Sequence, residues 1–235
     1  RKLNFSASRT MRAAQKLYEG LNIGSEVTGL ITYMRTDSVQ LSKDSITDLR
    51  KMITNEYGDN YCPEKLKIYK SKVANAQEAH EAIRPTDVKR MPKTVKAYLD
   101  DDCYKLYDLI WKRTISSQMA SAIINKTIID VESINKTDIQ NFVTLRANGS
   151  VIKFDGFLKI YNEGVDEKNS SEMDDNIIPQ VNINEKLIAE KNISEQHFTQ
   201  PLPRYTDASI IKKLEELGIG RPSTYASILE KLQDR

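Results

Sequence analysis

The spacing of apolar residues changes character at residue 121 and changes back at residue 201. Before the first change, apolar residues recur every three or four positions, the period that lines one face of a helix. Ser6 is placed to cap a helix with Met11, Ala14, Leu17 and Tyr18 as its apolar positions and Gly20 as its stop. Ser42 is placed to cap a second, with Ile46, Leu49 and Ile53 on one face and Gly58 behind them. Residues 100–119 predict a third, with Leu106, Leu109, Ile110 and Trp111 on one stripe. Its opening acids, Asp100, Asp101 and Asp102, suit the positive end of a helix dipole and are not read as a metal site. Between the first two helices, residues 29–34 are apolar and β-branched and predict a short strand. Residues 75–83 are rich in Ala and Glu and predict helical turns until Arg84-Pro85 breaks them.

From residue 121 the pattern is that of strands. Residues 123–124, 127–131, 142–147 and 151–154 fit short strands, with Asn148-Gly149 as a turn signal between the last two. Residues 162–176 are acidic, rich in Ser and Asn and poor in apolar side chains, and read as a mobile loop. Val181, Ile183, Leu187 and Ala189 are expected to mark two more strands. After residue 201 the helical period returns. Thr206 is placed to cap a helix with Ala208, Ile211 and Leu214 inward and Gly218 at its end. Ser223 or Thr224 then caps a second helix carrying Ile228, Leu229 and Leu232. Two short helices about a Gly-containing turn form a helix-turn-helix-like pair, a shape shared by many helical hairpins that read no DNA.

The expectation is therefore an α+β chain: a mainly helical region 1–120 with a short β element, a β-rich region 121–200, and a C-terminal helical hairpin 201–235. A length of 235 residues exceeds a typical single domain of ~100–200. The chain starts at Arg1 and stops inside a predicted helix, so it is expected to be a piece of a longer protein.

Charge divides at the same places. Residues 1–120 hold 21 Lys and Arg against 15 Asp and Glu, a balance of +6; residues 121–200 hold 8 against 13, a balance of −5; residues 201–235 hold 6 against 5, a balance of +1. A basic first part beside an acidic middle points to two roles, and the basic part is where a polyanion site is sought. No apolar run nears the ~20 residues of a membrane-spanning helix. Cys62 and Cys103 make neither a disulfide framework nor a zinc cluster, and His80 and His197 are too few for a His-rich metal site. A reducing cytoplasm is the expected setting.

Three clusters carry candidate chemistry. The first is Thr32-Tyr33-Met34-Arg35-Thr36-Asp37-Ser38. On a strand, positions i and i+2 share a face, so Tyr33 and Arg35 are expected to meet one ligand. A phenol attacks phosphorus only when its proton is removed and the phosphate charge is offset, and a guanidinium offsets it with a planar fork. Against this, most tyrosines at strand ends simply pack, and the chain has 11 of them. The second cluster runs from Gln77 to Thr86, where His80 and Arg84 would share a helical face at i, i+4 and both donate to phosphate. A surface helix with paired Glu and Arg fits it equally. The third is Gly218 to Ala226: a helix N-terminus attracts phosphate, with Arg221, Ser223 and Thr224 beside it, and ordinary capping explains the same residues.

Four segments together carry a resemblance. Phe5-Ser-Ala with Ala14-Gln-Lys-Leu-Tyr-Glu19, Gly29-Leu-Ile-Thr-Tyr-Met-Arg-Thr-Asp-Ser38, Gln77-Glu-Ala-His-Glu-Ala-Ile-Arg-Pro85, and Phe198 to Ser209 followed by Leu214 to Ala226 occur in the order seen in the bacterial type IA DNA topoisomerases, and the chain resembles that family from end to end. Residues 121–197 resemble it least. The resemblance implies that Tyr33 forms a 5′-phosphotyrosyl link to single-stranded DNA, that the other strand passes through the break, and that the 3′-hydroxyl reseals it without ATP. It implies that Arg35 holds the scissile phosphate and that His80 orients it. It implies DNA contacts at Arg84, Arg221, Ser223, Thr224 and Arg235. Residues 1–120 would be the strand-passage domain, 121–200 one segment of a β-rich arch, and 201–235 the start of a helical single-strand-binding domain. The family's magnesium ion is expected in an N-terminal TOPRIM domain outside this chain, and none in the chain itself. As a fragment it is expected to be inactive alone, and its incomplete arch to leave an exposed edge or apolar patch. The alternative is a DNA-binding module without catalysis.

Overall fold

The computed structural model describes residues 1–69, 80–133, 143–162, 178, 181–191 and 193–234. The chain divides into two compact units. The first comprises Arg1–Ala122, Asp155–Asp166 and Tyr205–Arg235; the second comprises Ile123–Phe154 and Glu167–Arg204.

The first unit is built on helices whose starts are fixed locally. Helix α1 (Ala7–Glu19) begins at Ser6, whose hydroxyl accepts from the Arg9 N–H, and ends at Gly20, where φ is 115°. A hairpin of β1 (Leu21–Ile23) and β2 (Glu26–Thr28) follows. Helix α2 (Lys43–Tyr57) is capped by Ser42, and the short α3 (Pro92–Val95) starts on a proline. Helix α4 (Asp101–Gln118) takes Asp100 as its N-cap, with the carboxylate accepting from the Cys103 N–H at 2.8 Å. The acids at its start are thus explained by capping and by ion pairs: Lys16 reaches Asp100 at 2.9 Å, and Arg9 grips Asp102 with two hydrogen bonds.

Helix α4 is the centre of the core, packed by α1, α2 and α3. Its buried face is Cys103, Leu106, Tyr107, Trp111, Thr114 and Ile115, a stripe at helical spacing. Leu109 and Ile110, expected on that stripe, are only half-buried. Two large side chains satisfy their polar ends on the chain between α2 and α3: Tyr107 donates to the Arg90 carbonyl at 2.7 Å and Trp111 to the Val88 carbonyl at 3.0 Å. Burial pushes the Cys103 thiol up to about 12, so it stays protonated and inert.

Helices α5 (Asp207–Glu216) and α6 (Tyr225–Gln233) lie where two C-terminal helices are expected. Thr206 and Ser209 cap α5 reciprocally. Its end is a Schellman arrangement: Gly218 at φ 68° lets Ile219 N–H reach the Leu214 carbonyl and Gly218 N–H the Glu215 carbonyl. Helix α6 packs on α1, burying Leu229, and Asp207 accepts from the Ala7 N–H at 3.1 Å.

Two expectations in this unit are corrected. Residues 29–34 do not form a strand; only Ile31 makes an isolated antiparallel bridge, to Pro85. The facing segment carries a proline with no N–H to give, and a threonine hydroxyl stands in for part of the ladder. Thr86 N–H reaches the Leu30 carbonyl and Thr32 N–H the Arg84 carbonyl, while Arg84 N–H donates to the Thr32 hydroxyl. The helical turns expected over 75–83 fall partly on residues 70–79, which lie outside the described residues; residues 80–83 are not helical. Their backbone bonds go to distant partners: Ala82 N–H to the Gln40 carbonyl, and the Ala82 carbonyl to the Thr32 hydroxyl.

The second unit contains one antiparallel ladder, β3 (Ile123–Ser133) against β4 (Val143–Phe154). Four short strands are therefore replaced by two long ones. Asn148-Gly149 is not a turn: Asn148 pairs with Ile128 and Gly149 with Thr127 inside the ladder. The connection between the strands, and most of the loop expected at 162–176, lie outside the described residues. Residues 181–191 form no strand. One face of the ladder carries Ile129, Val131, Val143, Leu145 and Val151; the other is crossed by the ion pair Arg146–Asp130. On the first of these faces Val143 and Leu145 are 60% and 59% exposed.

Candidate active site

The chain reaches Tyr33 through a close passage against the end of α1. Leu30 N–H donates to the Leu17 carbonyl at 2.7 Å, and a Cβ on Gly29 would stand 2.5 Å from the Tyr18 carbonyl oxygen. That spacing admits only glycine. Gly29→Ala is expected to destabilise the fold by about 2 kcal/mol through overpacking, measured by urea unfolding. Leu30, Ile31 and Met34 are buried and hold the segment down. Tyr33 is half-buried and Arg35 is exposed.

The sequence placed Tyr33 and Arg35 on one face of a strand. Without the strand, Tyr33 lies on the core surface and Arg35 extends from it with no hydrogen bond or ion pair to a described residue. The Tyr33 ring meets two others: Tyr18 edge-on at a centroid distance of 5.3 Å, and His80 at 5.4 Å with planes inclined by 34°. His80 therefore does come to the tyrosine, although not from a helix. The Tyr33 hydroxyl makes no hydrogen bond to a described residue, so it is open to an incoming group.

His80 is held by its neighbours. Glu81 accepts from Arg84 Nε at 2.9 Å and from Arg84 Nη2 at 2.8 Å, and from the Ser42 N–H at 2.7 Å. Arg84 Nη1 donates to the Pro85 carbonyl at 2.8 Å. Burial raises the Glu81 carboxyl, but the hydrogen bonds from Arg84 and Ser42 outweigh it and hold the group at about 2. Arg84 is thus spent on internal partners, and its partner is Glu81 at i−3, not His80.

The third cluster is joined to the first. Arg221 in the α5–α6 turn stands 4.0 Å from Asp37, four residues beyond Tyr33. Ser223 is exposed. The Thr224 hydroxyl folds back on Arg221, accepting from its N–H at 2.9 Å and donating to its carbonyl at 3.1 Å. Arg235 lies outside the described residues. Sequence reasoning gave no part in the site to Tyr18, Asp37 or Glu81; all three stood in quoted motifs, but their contacts are made by folding.

The whole chain, residues 1–235, matches the family model described as DNA topoisomerase. The chain belongs to the DNA topoisomerase family. It is similar to DNA topoisomerase 1 of Rickettsia felis, 56% identical over 235 residues, which is all of this chain and 29% of that protein. It is also similar to DNA topoisomerase 1 of Xylella fastidiosa (strain Temecula1), 49% identical over 234 residues, 99% of this chain and 28% of that protein. Among solved structures, full-length topoisomerase I from Thermotoga maritima matches with a TM-score of 0.71 and 33% identity, over 99% of this chain and 35% of that one. This topoisomerase segment thus spans under a third of the length of the curated relatives it matches. Among its described residues, no helix is long and apolar enough to cross a membrane.

Proposed function

We propose that the chain is the nucleophile-bearing part of a DNA topoisomerase of type IA that relaxes negatively supercoiled DNA. The observation that supports this best is Tyr33 itself: a half-exposed phenol with an open hydroxyl, a histidine ring beside it and an exposed arginine two residues on. In the reaction, the Tyr33 oxygen attacks the phosphorus of one strand. An O–P bond forms, the bond to the 3′-oxygen breaks, the phenol proton leaves to a base, and the 3′-oxygen takes up a proton. The phosphotyrosyl ester keeps the bond energy, so rejoining needs no ATP. The other strand passes while the break is open.

Arg35 neutralises the scissile phosphate as charge builds on it. His80, stacked near the phenol, orients that phosphate. Arg221 and Ser223 contact the single strand as it crosses the α5–α6 turn. Arg84 and the Thr224 hydroxyl, given their internal partners, shape the site and the turn. In domain terms, residues 1–120 act as the strand-passage domain, 121–200 as a segment of the arch, and 201–235 as the start of the single-strand-binding domain. The setting is the cytoplasm.

The magnesium ion that the resemblance implies has no ligand set here: among the described residues, no group of three or more His, Cys, Asp or Glu is placed to hold a metal. Asp100 and Asp102 already hold Lys16 and Arg9. On this reading the ion is held in a TOPRIM part of a longer protein, and no step is routed through it here.

The test is an exchange. The matching segment of the Rickettsia felis protein is replaced by this chain, and relaxation of negatively supercoiled plasmid is measured. Relaxation with a covalent DNA adduct supports catalysis; salt-dependent DNA binding with no adduct supports the non-catalytic module instead. In the same chimera, Arg35→Ala is expected to lower the cleavage rate about 10²–10³-fold while leaving the melting temperature unchanged, as loss of a transition-state charge contact does.

A further inference from the structure

With no hydrogen bond from its hydroxyl to a described residue, the Tyr33 side chain is aimed by what its ring packs against: the core, His80 and Tyr18. Tyr18 is the penultimate residue of α1, and its ring meets the Tyr33 ring at 5.3 Å with planes inclined by 66°. That is an edge-to-face arrangement, one that aromatic rings favour. Core burial does not account for this side chain: it is 40% exposed, while α1 buries Ala13, Ala14 and Leu17. The same helix end fixes the backbone that leads to Tyr33. The Leu17 carbonyl accepts from Leu30 N–H at 2.7 Å, and the Tyr18 carbonyl oxygen would stand 2.5 Å from a Cβ at Gly29. One end of α1 thus locates both the segment that carries the phenol and the phenol ring. The Tyr18 hydroxyl makes no hydrogen bond to a described residue, so the ring alone makes the contact.

We infer that Tyr18 is a positioning residue for DNA cleavage: its ring holds the Tyr33 ring so that the phenol oxygen faces the scissile phosphate. The inference rests on Tyr33 being the nucleophile, as proposed above, and gives Tyr18 no chemistry of its own. Reacting atoms must be held about 3–3.5 Å apart and aligned, and a misplacement of about 1 Å costs up to about 10²-fold in rate.

The test is single-turnover cleavage of a saturating single-stranded oligonucleotide by the Rickettsia felis chimera carrying Tyr18→Leu, Tyr18→Gln or Tyr18→Phe. Leucine and glutamine are good helix formers and the position is 40% exposed, so both ring-less variants are expected to fold. Each is expected to slow adduct formation at least tenfold, with oligonucleotide affinity within about twofold and the pH profile of cleavage unshifted. Tyr18→Phe is expected to keep the parent rate, because it keeps the ring. Cleavage at the parent rate in both ring-less variants overturns the inference, whatever their melting temperatures, and leaves Tyr33 standing as the nucleophile. A loss in Tyr18→Phe equal to that in Tyr18→Leu also overturns it, since the hydroxyl is then the acting group. A chimera with Tyr18 intact that forms no adduct overturns the nucleophile reading itself, and this inference with it.

Discussion

Arg84→Ala is expected to lower stability by about 3 kcal/mol, at the lower end of what breaking a buried ion pair costs. The side chains of Arg84 and Glu81 are 17% and 25% exposed, and they meet through two parallel hydrogen bonds. Truncating the arginine leaves the Glu81 carboxylate with Ser42 and Ser45 as its remaining partners. It also frees the Pro85 carbonyl, which faces Ile31. Urea unfolding measures the loss, and a double-mutant cycle with Glu81→Ala should recover a coupling of about 1–3 kcal/mol. The pair also sets a pH dependence. Glu81 titrates at about 2 in the fold, below its ordinary 4.5. A group held low when folded stabilises the fold fully above its unfolded pKa, so this contribution is complete above about pH 4.5 and is lost as pH falls towards 2. In the Arg84→Ala variant that acid-side loss should shrink. The same variant should slow cleavage, because Arg84 and Glu81 flank the turn that brings His80 to Tyr33.

Tyr33→Phe is expected to separate fold from function. The tyrosine ring packs on Tyr18 and His80, and phenylalanine keeps both contacts. The hydroxyl makes no hydrogen bond to a described residue, so its removal should change stability by less than about 0.5 kcal/mol. On the proposed mechanism that hydroxyl is the attacking atom, and no neighbouring group replaces it. Adduct formation in the chimera should therefore fall below detection, while binding of single-stranded oligonucleotides stays within about twofold. Tyr18→Phe, a change to the ring beside it, should leave the adduct yield nearly unaltered.

What the sequence made legible was local. Ser6, Ser42 and Thr206 each cap the helix expected of them, because a cap bonds to an N–H three residues away. Gly20, Gly58 and Gly218 mark helix ends because each takes a positive φ. Failures came where distant partners decide. Residues 29–34 look like a strand, but their neighbour contributes Pro85 and a hydroxyl-mediated link. Asn148-Gly149 is a strong local turn signal that eleven residues of ladder override. Arg84 has His80 at i−4 and Glu81 at i−3; folding chose the carboxylate. In the site, the motif residues Tyr33, Arg35 and His80 could be named from the chain. The Tyr18 ring, the Arg221–Asp37 approach and the Glu81 anchor could not, because nothing in their spacing records a tertiary contact.

The central claim is that one phenol, Tyr33, becomes bonded to DNA. The measurement is mass spectrometry of the adduct formed by the Rickettsia felis chimera on a single-stranded oligonucleotide, after nuclease and trypsin digestion. Trypsin releases residues 17–35 as one peptide, which contains both Tyr18 and Tyr33. Fragmentation within it should place the residual nucleotide on Tyr33 and on no other residue. A nucleotide on Tyr18, or on a peptide elsewhere in the chain, would contradict the account.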